Sequence, residues 1–283
     1  MTEIFLCSFA SKDLSRSRSR FIEQAERLKL YKRIKVFSFQ DLNESKKRQI
    51  ENFFKKGEKR LYGYGCWKPY IIMSFLHQVP ENSVVQYTDI GCHFNRKGVS
   101  RLNDYINICK KRNILTFQYK KPKFKKFNNF KFQEYFENEY TKADLWKYLK
   151  INNSSKFLKN EQILSGLIFF KNNKFTRNIL SQWCIYSNIN RLIDDSQSKN
   201  KNHSNFIEHR HDQSIFSLLC KQNKIFSLSA SECEWAEYNG RRVWNHLSNY
   251  PIHAKRDKKY NLFKRFMIRQ VKNFKRKVKN AKN

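Results

Sequence analysis

The chain has 283 residues, 40% hydrophobic and 16% aromatic, and its 58 Lys and Arg against 24 Asp and Glu give a formal net charge of +34. That composition supports a large enclosed core, and the charge favours an anionic partner, whether nucleic acid, the inner face of a membrane or a phosphorylated substrate. The seven cysteines include no close C-x-x-C pair and no apolar run reaches about 18 residues, which excludes a zinc knuckle, a dithiol redox centre and a transmembrane helix.

A first strand is predicted over residues 3–9, with Glu3 before it and Lys12 and Asp13 after it, flanks that argue against a signal peptide. A helix follows over 15–30, with Phe21, Ile22, Ala25 and Leu28 on one face and Arg20 near its start. Residues 34–39 read as a second strand, and Asp41-Leu42-Asn43-Glu44 as a capping box for a helix through Phe54. Strand, helix, strand, helix opens an α/β sheet, although no G-x-G-x-x-G fingerprint is present.

The run G-Y-G-C-W-K-P at 63–69 brings the backbone close to bulky neighbours, and Pro69 suits the first turn of a helix carrying Ile71, Ile72, Phe75 and Leu76. Lys68 there either meets a phosphate or carboxylate, or points to solvent while Trp67 and Tyr70 enter the core. The stretch V-V-Q-Y-T-D-I-G-C at 84–92 is a buried strand ending at Asp89. A carboxylate at such a strand's mouth holds a substrate hydroxyl or a metal, or caps the following turn. A helix over 99–110 and a strand over 114–119 continue the alternation.

Residues 120–139 interleave lysines with Phe124, Phe127, Phe130 and Phe132, a pattern shared by single-strand nucleic-acid binders and by loops anchored on aromatic rings. Thr141-Lys142-Ala143-Asp144 reads as another capping box. Ser165-Gly166 leads an apolar strand, the polar interval 194–205 reads as flexible or ordered by ligand, and Asp212 caps the next helix or joins His209 and His211 in polar recognition.

In this order, R-x-R-F-I-E-Q-A at 18–25, G-Y-G-C-W-K-P at 63–69, Y-T-D-I-G-C at 87–92, S-G-L-I-F-F at 165–170 and H-D-Q-S at 211–214 resemble a bacterial family of small glycosyltransferases associated with surface polysaccharide or lipooligosaccharide synthesis. The resemblance implies a GT-A-like open mixed sheet flanked by helices over 1–254, followed by a basic helical extension at 255–283. It implies a nucleoside-diphosphate sugar as donor, a surface-glycan or lipid-linked saccharide acceptor, and Mn2+ or Mg2+ as cofactor.

The same resemblance puts Asp89 at the donor diphosphate, where the usual D-x-D pair is reduced to Asp89-Ile90-Gly91. Asp89, His253 and the donor phosphates would then hold the metal; alternatively Lys68, Arg20 and Arg256 neutralise the leaving diphosphate without one. Ser165 and Gly166 shape the donor pocket, and Asp212 is the catalytic candidate, as acceptor-side base or sugar-orienting carboxylate.

Residues 255–283 carry 13 basic residues and one acidic residue, a net +12, with an apolar stripe that includes Leu262, Phe266, Val271 and Phe274. Such a helix lies on an anionic membrane or packs on the catalytic domain; the first choice places the protein in the cytoplasm, peripheral on the inner face of the membrane. The competing function is single-stranded nucleic-acid binding, though no specific nucleic acid is favoured.

Overall fold

Strand-forming runs of aliphatic and aromatic residues build the centre of the computed structural model, which describes residues 3–122, 129–152, 155–255, 266–267 and 270–271. The strands are β1 (Ile4–Phe9), β2 (Tyr31–Phe37), β3 (Val84–Thr88), β4 (His93–Phe94), β5 (Ile114–Gln118), β6 (Lys131–Phe132), β7 (Ile163–Lys171), β8 (Ser227–Ser229), β9 (Ala236–Tyr238), β10 (Arg241–Val243) and β11 (Ile252–His253). The helical elements are α1 (Ser15–Glu26), α2 (Glu44–Lys55), α3 (Leu61–Tyr64), α4 (Lys68–Leu76), α5 (Val99–Arg112), α6 (Glu137–Tyr140), α7 (Ala143–Tyr148), α8 (Lys174–Ser187), α9 (Asn190–Ile193) and α10 (His211–Gln222).

Among the described residues the central sheet has six strands in the order β2-β1-β3-β7-β5-β8. β1 runs parallel to β2 and β3, β8 runs parallel to β5, and β7 is antiparallel to both β3 and β5. The open mixed sheet flanked by helices expected from the sequence is therefore the fold observed. Because β7 runs against its neighbours, it enters the sheet at the edge where β3 leaves, and Leu167 pairs with Thr88 there.

Every residue of β1 and β3 is buried, as a sheet covered on both faces requires. Phe5, Cys7 and Phe9 pack with Ile71, Ile72 and Phe75 of α4 and with Ile179, Trp183 and Phe216 of α8 and α10. On the other face Leu102, Tyr105, Ile106 and Cys109 line one stripe of α5 against Val84, Leu115, Phe117 and Phe169. Leu6 instead meets Phe21 and Ala25 of α1.

Two capping assignments differ from the sequence reading. Asp41 closes a capping box with Ser38 around a short 3-10 turn, and α2 begins later, with the Asn43 side chain accepting from the Lys46 amide. The turn takes up the residues that pattern alone assigns to the helix. Ahead of α7 the Lys142 side chain makes no cap, and the Ala143 and Asp144 amides donate instead to Asn202 Oδ1 at 2.7 Å and Ser198 Oγ at 3.3 Å. Thr141 Oγ1 donates to Glu137 at 2.6 Å, and the Asp144 carboxylate accepts from Ser198 Oγ and the amides of Lys199 and Asn200.

Those bonds, with Lys142 Nζ donating to the Asp194 carbonyl and carboxylate at 3.0 Å, pin residues 194–205. The polarity read as flexibility is side-chain satisfaction of a loop that has no strand partner. Phe130 packs beside Tyr238 at 5.3 Å and Phe132 beside His246 at 5.2 Å, which makes both protein anchors. Lys123, Phe124, Lys125, Lys126 and Phe127 lie outside the described residues, as does most of 255–283, Arg256 included; residues 266–267 and 270–271 are helical. Among the described residues no helix is long and apolar enough to cross a membrane.

Candidate active site

The turn leading into α4 is wound left-handed: Leu61, Tyr62, Gly63, Tyr64 and Gly65 have φ of 48, 56, 83, 59 and 74°. Such backbone costs roughly 1–2 kcal/mol for each residue with a Cβ, so surrounding contacts must hold it. They do: Tyr62 packs against Phe9, Phe39 and Phe54, and Tyr64 meets Phe53 edge-on at 5.0 Å. A Cβ on Gly65 would lie 2.7 Å from Asp212 Oδ1, so glycine is needed both for the backbone and for the close approach of α10. Trp67 stacks on Phe9 at 4.0 Å, and Lys68 follows as the first residue of α4, 5% exposed.

The Lys68 ammonium is surrounded by oxygen. Its Nζ lies 2.7 Å from Asp212 Oδ2 and 3.5 Å from Asp89 Oδ1, and donates to Ser165 Oγ at 3.1 Å and the Ser165 carbonyl at 3.3 Å. Ser165 Oγ donates in turn to Asp212 Oδ2 at 2.8 Å. Asp212 sits buried in the first turn of α10, whereas the Asp89 side chain is half-exposed at the end of β3. Tyr87 OH donates to Asp89 Oδ1 at 2.6 Å, the Asp89 amide donates to the Gly166 carbonyl, and a Cβ on Gly166 would fall 2.8 Å from Asp89 Oδ2. Lys68, Asp89, Ser165, Gly166 and Asp212 thus form one cluster.

Burial raises the Asp212 carboxyl above its ordinary range; Lys68 opposes that shift and Asp89 adds to it. Burial alone would lower the Lys68 ammonium, but Asp212 and then Asp89 outweigh it and the net direction is upward. Lys68 is therefore a permanent cation, and Asp212 a carboxylate with unusual proton affinity. Tyr87, raised far by burial and then by Asp89, stays a neutral donor. Its role is visible in sequence only as a spacing of two, which puts it and Asp89 on one side of the strand.

Of the other predicted site residues that are described, Arg20 supports the rim of this cluster and His253 lies on the β11–β4 pair. Arg20 donates from Nη1 to the Cys92 carbonyl at 2.7 Å and from Nη2 to the Ile90 carbonyl at 2.8 Å, bracing the loop after Asp89. His253 faces His93 across the β11–β4 pair, with Nε2 2.8 Å from the Leu247 carbonyl. A carbonyl only accepts, so Nε2 carries the proton and the remaining ring lone pair is that of Nδ1. Among the described residues no group of three or more His, Cys, Asp or Glu side chains is placed to hold a metal ion. Between the two carboxylates, the place for a cation is taken by Lys68. These residues do not fit a divalent metal.

Two further imidazoles fasten α10 to the segment before 194–205. His209 Nε2 bonds the Leu192 carbonyl at 3.0 Å and His211 Nδ1 the Ile193 carbonyl at 2.7 Å, while Tyr64 lies against His211 at 4.6 Å. Burial lowers His211 to about 4, and likewise His246 to about 4. Unfolded histidine binds its proton near pH 6.5. Between pH 6.5 and 4 the unfolded chain therefore holds more protons, and the stability present above 6.5 is lost as the pH falls through 4. Each group accounts for about 3 kcal/mol. Urea unfolding at pH 4.5 is expected to show several kcal/mol less stability than at pH 7.5, with a shallower pH slope in His246→Gln.

A separate cavity of about 510 Å³ opens between Trp146 and residues 200–204 and includes none of the Lys68 cluster. No protein-family model and no curated protein matches the chain. Solved structures do align with it, among them the following three. A glycosyltransferase involved in the glycosylation of the major capsid of PBCV-1 aligns at 9% identity and a TM-score of 0.48, over 98% of this chain and 99% of that one. Mouse xyloside xylosyltransferase 1 aligns at 9% identity and 0.38, over 83% and 87%. The bifunctional glycosyltransferase WbbM aligns at 12% identity and 0.43; 96% of this chain is covered, but it spans only 45% of that one. At these scores the overlap is partial and fixes neither donor nor acceptor.

Proposed function

We propose that the chain transfers a sugar from a nucleoside-diphosphate sugar to a hydroxyl of a surface-glycan or lipid-linked saccharide. The observation that supports this most is Asp89, a half-exposed carboxylate at the carboxyl end of β3. It is fixed by Tyr87 and Lys68, and flanked by the small Ser165-Gly166 pair of β7. Open α/β sheets bind ligands outside the carboxyl ends of their strands. Four of the five family-like blocks supply this one cluster, whose residues Lys68 and Asp212 stand 144 positions apart.

In the reaction the acceptor oxygen forms a bond to the anomeric carbon as the bond from that carbon to the phosphate oxygen breaks. The electron pair leaves with the nucleoside diphosphate. Lys68 supplies fixed positive charge near that departure, and the charge of Arg20 lies beside the same loop. The acceptor proton goes to a carboxylate, and Asp212 is the candidate because burial has raised its proton affinity. Arg256 and the +12 segment at 255–283 favour an anionic membrane surface bearing a lipid-linked acceptor.

The test is binding and turnover across a panel of nucleotide sugars with saccharide acceptors, followed by release of nucleoside diphosphate. Binding and acceptor-dependent release for at least one donor supports the reading; neither, with folded protein, refutes it. Asp89→Asn is expected to leave the melting temperature within a few degrees, because the group is half-exposed, and to lower turnover about 100-fold or more. Turnover at the wild-type rate would remove Asp89 from the site.

A further inference from the structure

We infer that the Lys68 ammonium takes the place of the divalent cation, so that glycosyl transfer by this chain proceeds without a divalent metal. The inference rests on the glycosyltransferase reading but is carried by the oxygen cage itself. Lys68 Nζ has four oxygens of Asp212, Ser165 and Asp89 within 2.7–3.5 Å, the kind of donor set that would otherwise suit a hard cation.

The lysine cannot step aside for a metal. It is 5% exposed, begins α4 directly after the Trp67–Phe9 stack, and is the cation against the buried Asp212. Withdrawing it would leave that carboxylate uncompensated. A divalent ion added beside it would meet the ammonium's repulsion while gaining one half-exposed carboxylate, Asp89. The second ligand of the usual pair is absent, since Gly91 stands there, and among the described residues no three His, Cys, Asp or Glu side chains are placed to hold a metal ion.

A consequence falls on Asp89. With no metal between it and the phosphates, its carboxylate accepts hydrogen bonds from donor hydroxyl groups. Tyr87 and Lys68 both approach Oδ1, which directs Oδ2, on the Gly166 side, toward the ligand. Gly166 leaves the space that a side chain would close.

The experiment titrates Mn2+ into the full-length chain, alone and with a panel of nucleoside diphosphates, by electron paramagnetic resonance and calorimetry. Wild type is expected to leave Mn2+ free and to bind a nucleoside diphosphate equally, within about twofold, in EDTA and in Mn2+. Lys68→Met leaves Asp89 and Asp212 facing each other and is expected to bind one Mn2+ about tenfold or more tightly than wild type. Stoichiometric Mn2+ on the wild type, or a nucleotide affinity about tenfold higher with Mn2+, overturns the inference. If no nucleoside diphosphate binds under any condition, the donor reading fails, and the Mn2+ titration alone still decides the question of the cation. Should Lys68→Met not fold, the wild-type result decides it.

Discussion

Lys68→Met is expected to destabilise the protein by about 3–5 kcal/mol, because it strands a buried carboxylate without its counter-charge. The methionine fills nearly the same volume, so the loss is electrostatic. Asp212 is held 2.7 Å from Nζ and is almost fully buried, while Asp89 can turn toward water. A chain of this size loses roughly 2–4 °C of Tm per kcal/mol, so a fall of about 10 °C is expected by calorimetry. Combining Lys68→Met with Asp212→Asn removes both charges and is expected to recover much of that loss, giving a coupling of about 2 kcal/mol or more in the double-mutant cycle. Additive effects would mean that the pair contributes little to the fold. Neither variant is expected to retain transfer.

Asp212→Asn alone separates chemistry from donor binding. Asparagine keeps the shape beneath Gly65 and can still accept from Ser165, but it cannot take a proton. Turnover is expected to fall by about 100- to 10,000-fold, the range for loss of a positioned acid–base group. Donor affinity, set chiefly by Asp89 and the glycine side of β7, is expected to change by less than about threefold. Equal losses in donor affinity and turnover would instead assign Asp212 to holding Lys68, with no part in proton transfer.

Much of the layer structure was legible in the sequence because it follows local rules. Alternating or continuous apolar runs marked β1, β3, β5 and β7, and a recurring apolar face marked α1, since both faces of the sheet are covered. Capping was less legible: Asp41 and Asp144 occur in capping-box spacing, yet each serves a contact that the spacing does not reveal. Segment 194–205 has the composition of a flexible loop and is tied down by Lys142 and Asp144 from another part of the chain.

The site shows the same division. Asp89 stood out because a carboxylate ended a β-branched strand, and Ser165-Gly166 because small residues interrupted an apolar run. The burial of Lys68 was not legible. Its partners lie 21, 97 and 144 positions away, and only the left-handed turn at 61–65 and the reversed direction of β7 bring them together. Such a contact has no periodicity. The missing second aspartate was visible at Gly91, while the ammonium filling the cage was not.

In a crystal structure with a nucleotide sugar bound, the diphosphate is expected at the carboxyl edge of β1 and β3 beside Asp89, with the sugar against Ser165 and Gly166 and Lys68 still in its oxygen cage. A donor seated in the cavity between Trp146 and residues 200–204, away from Asp89, would contradict that placement.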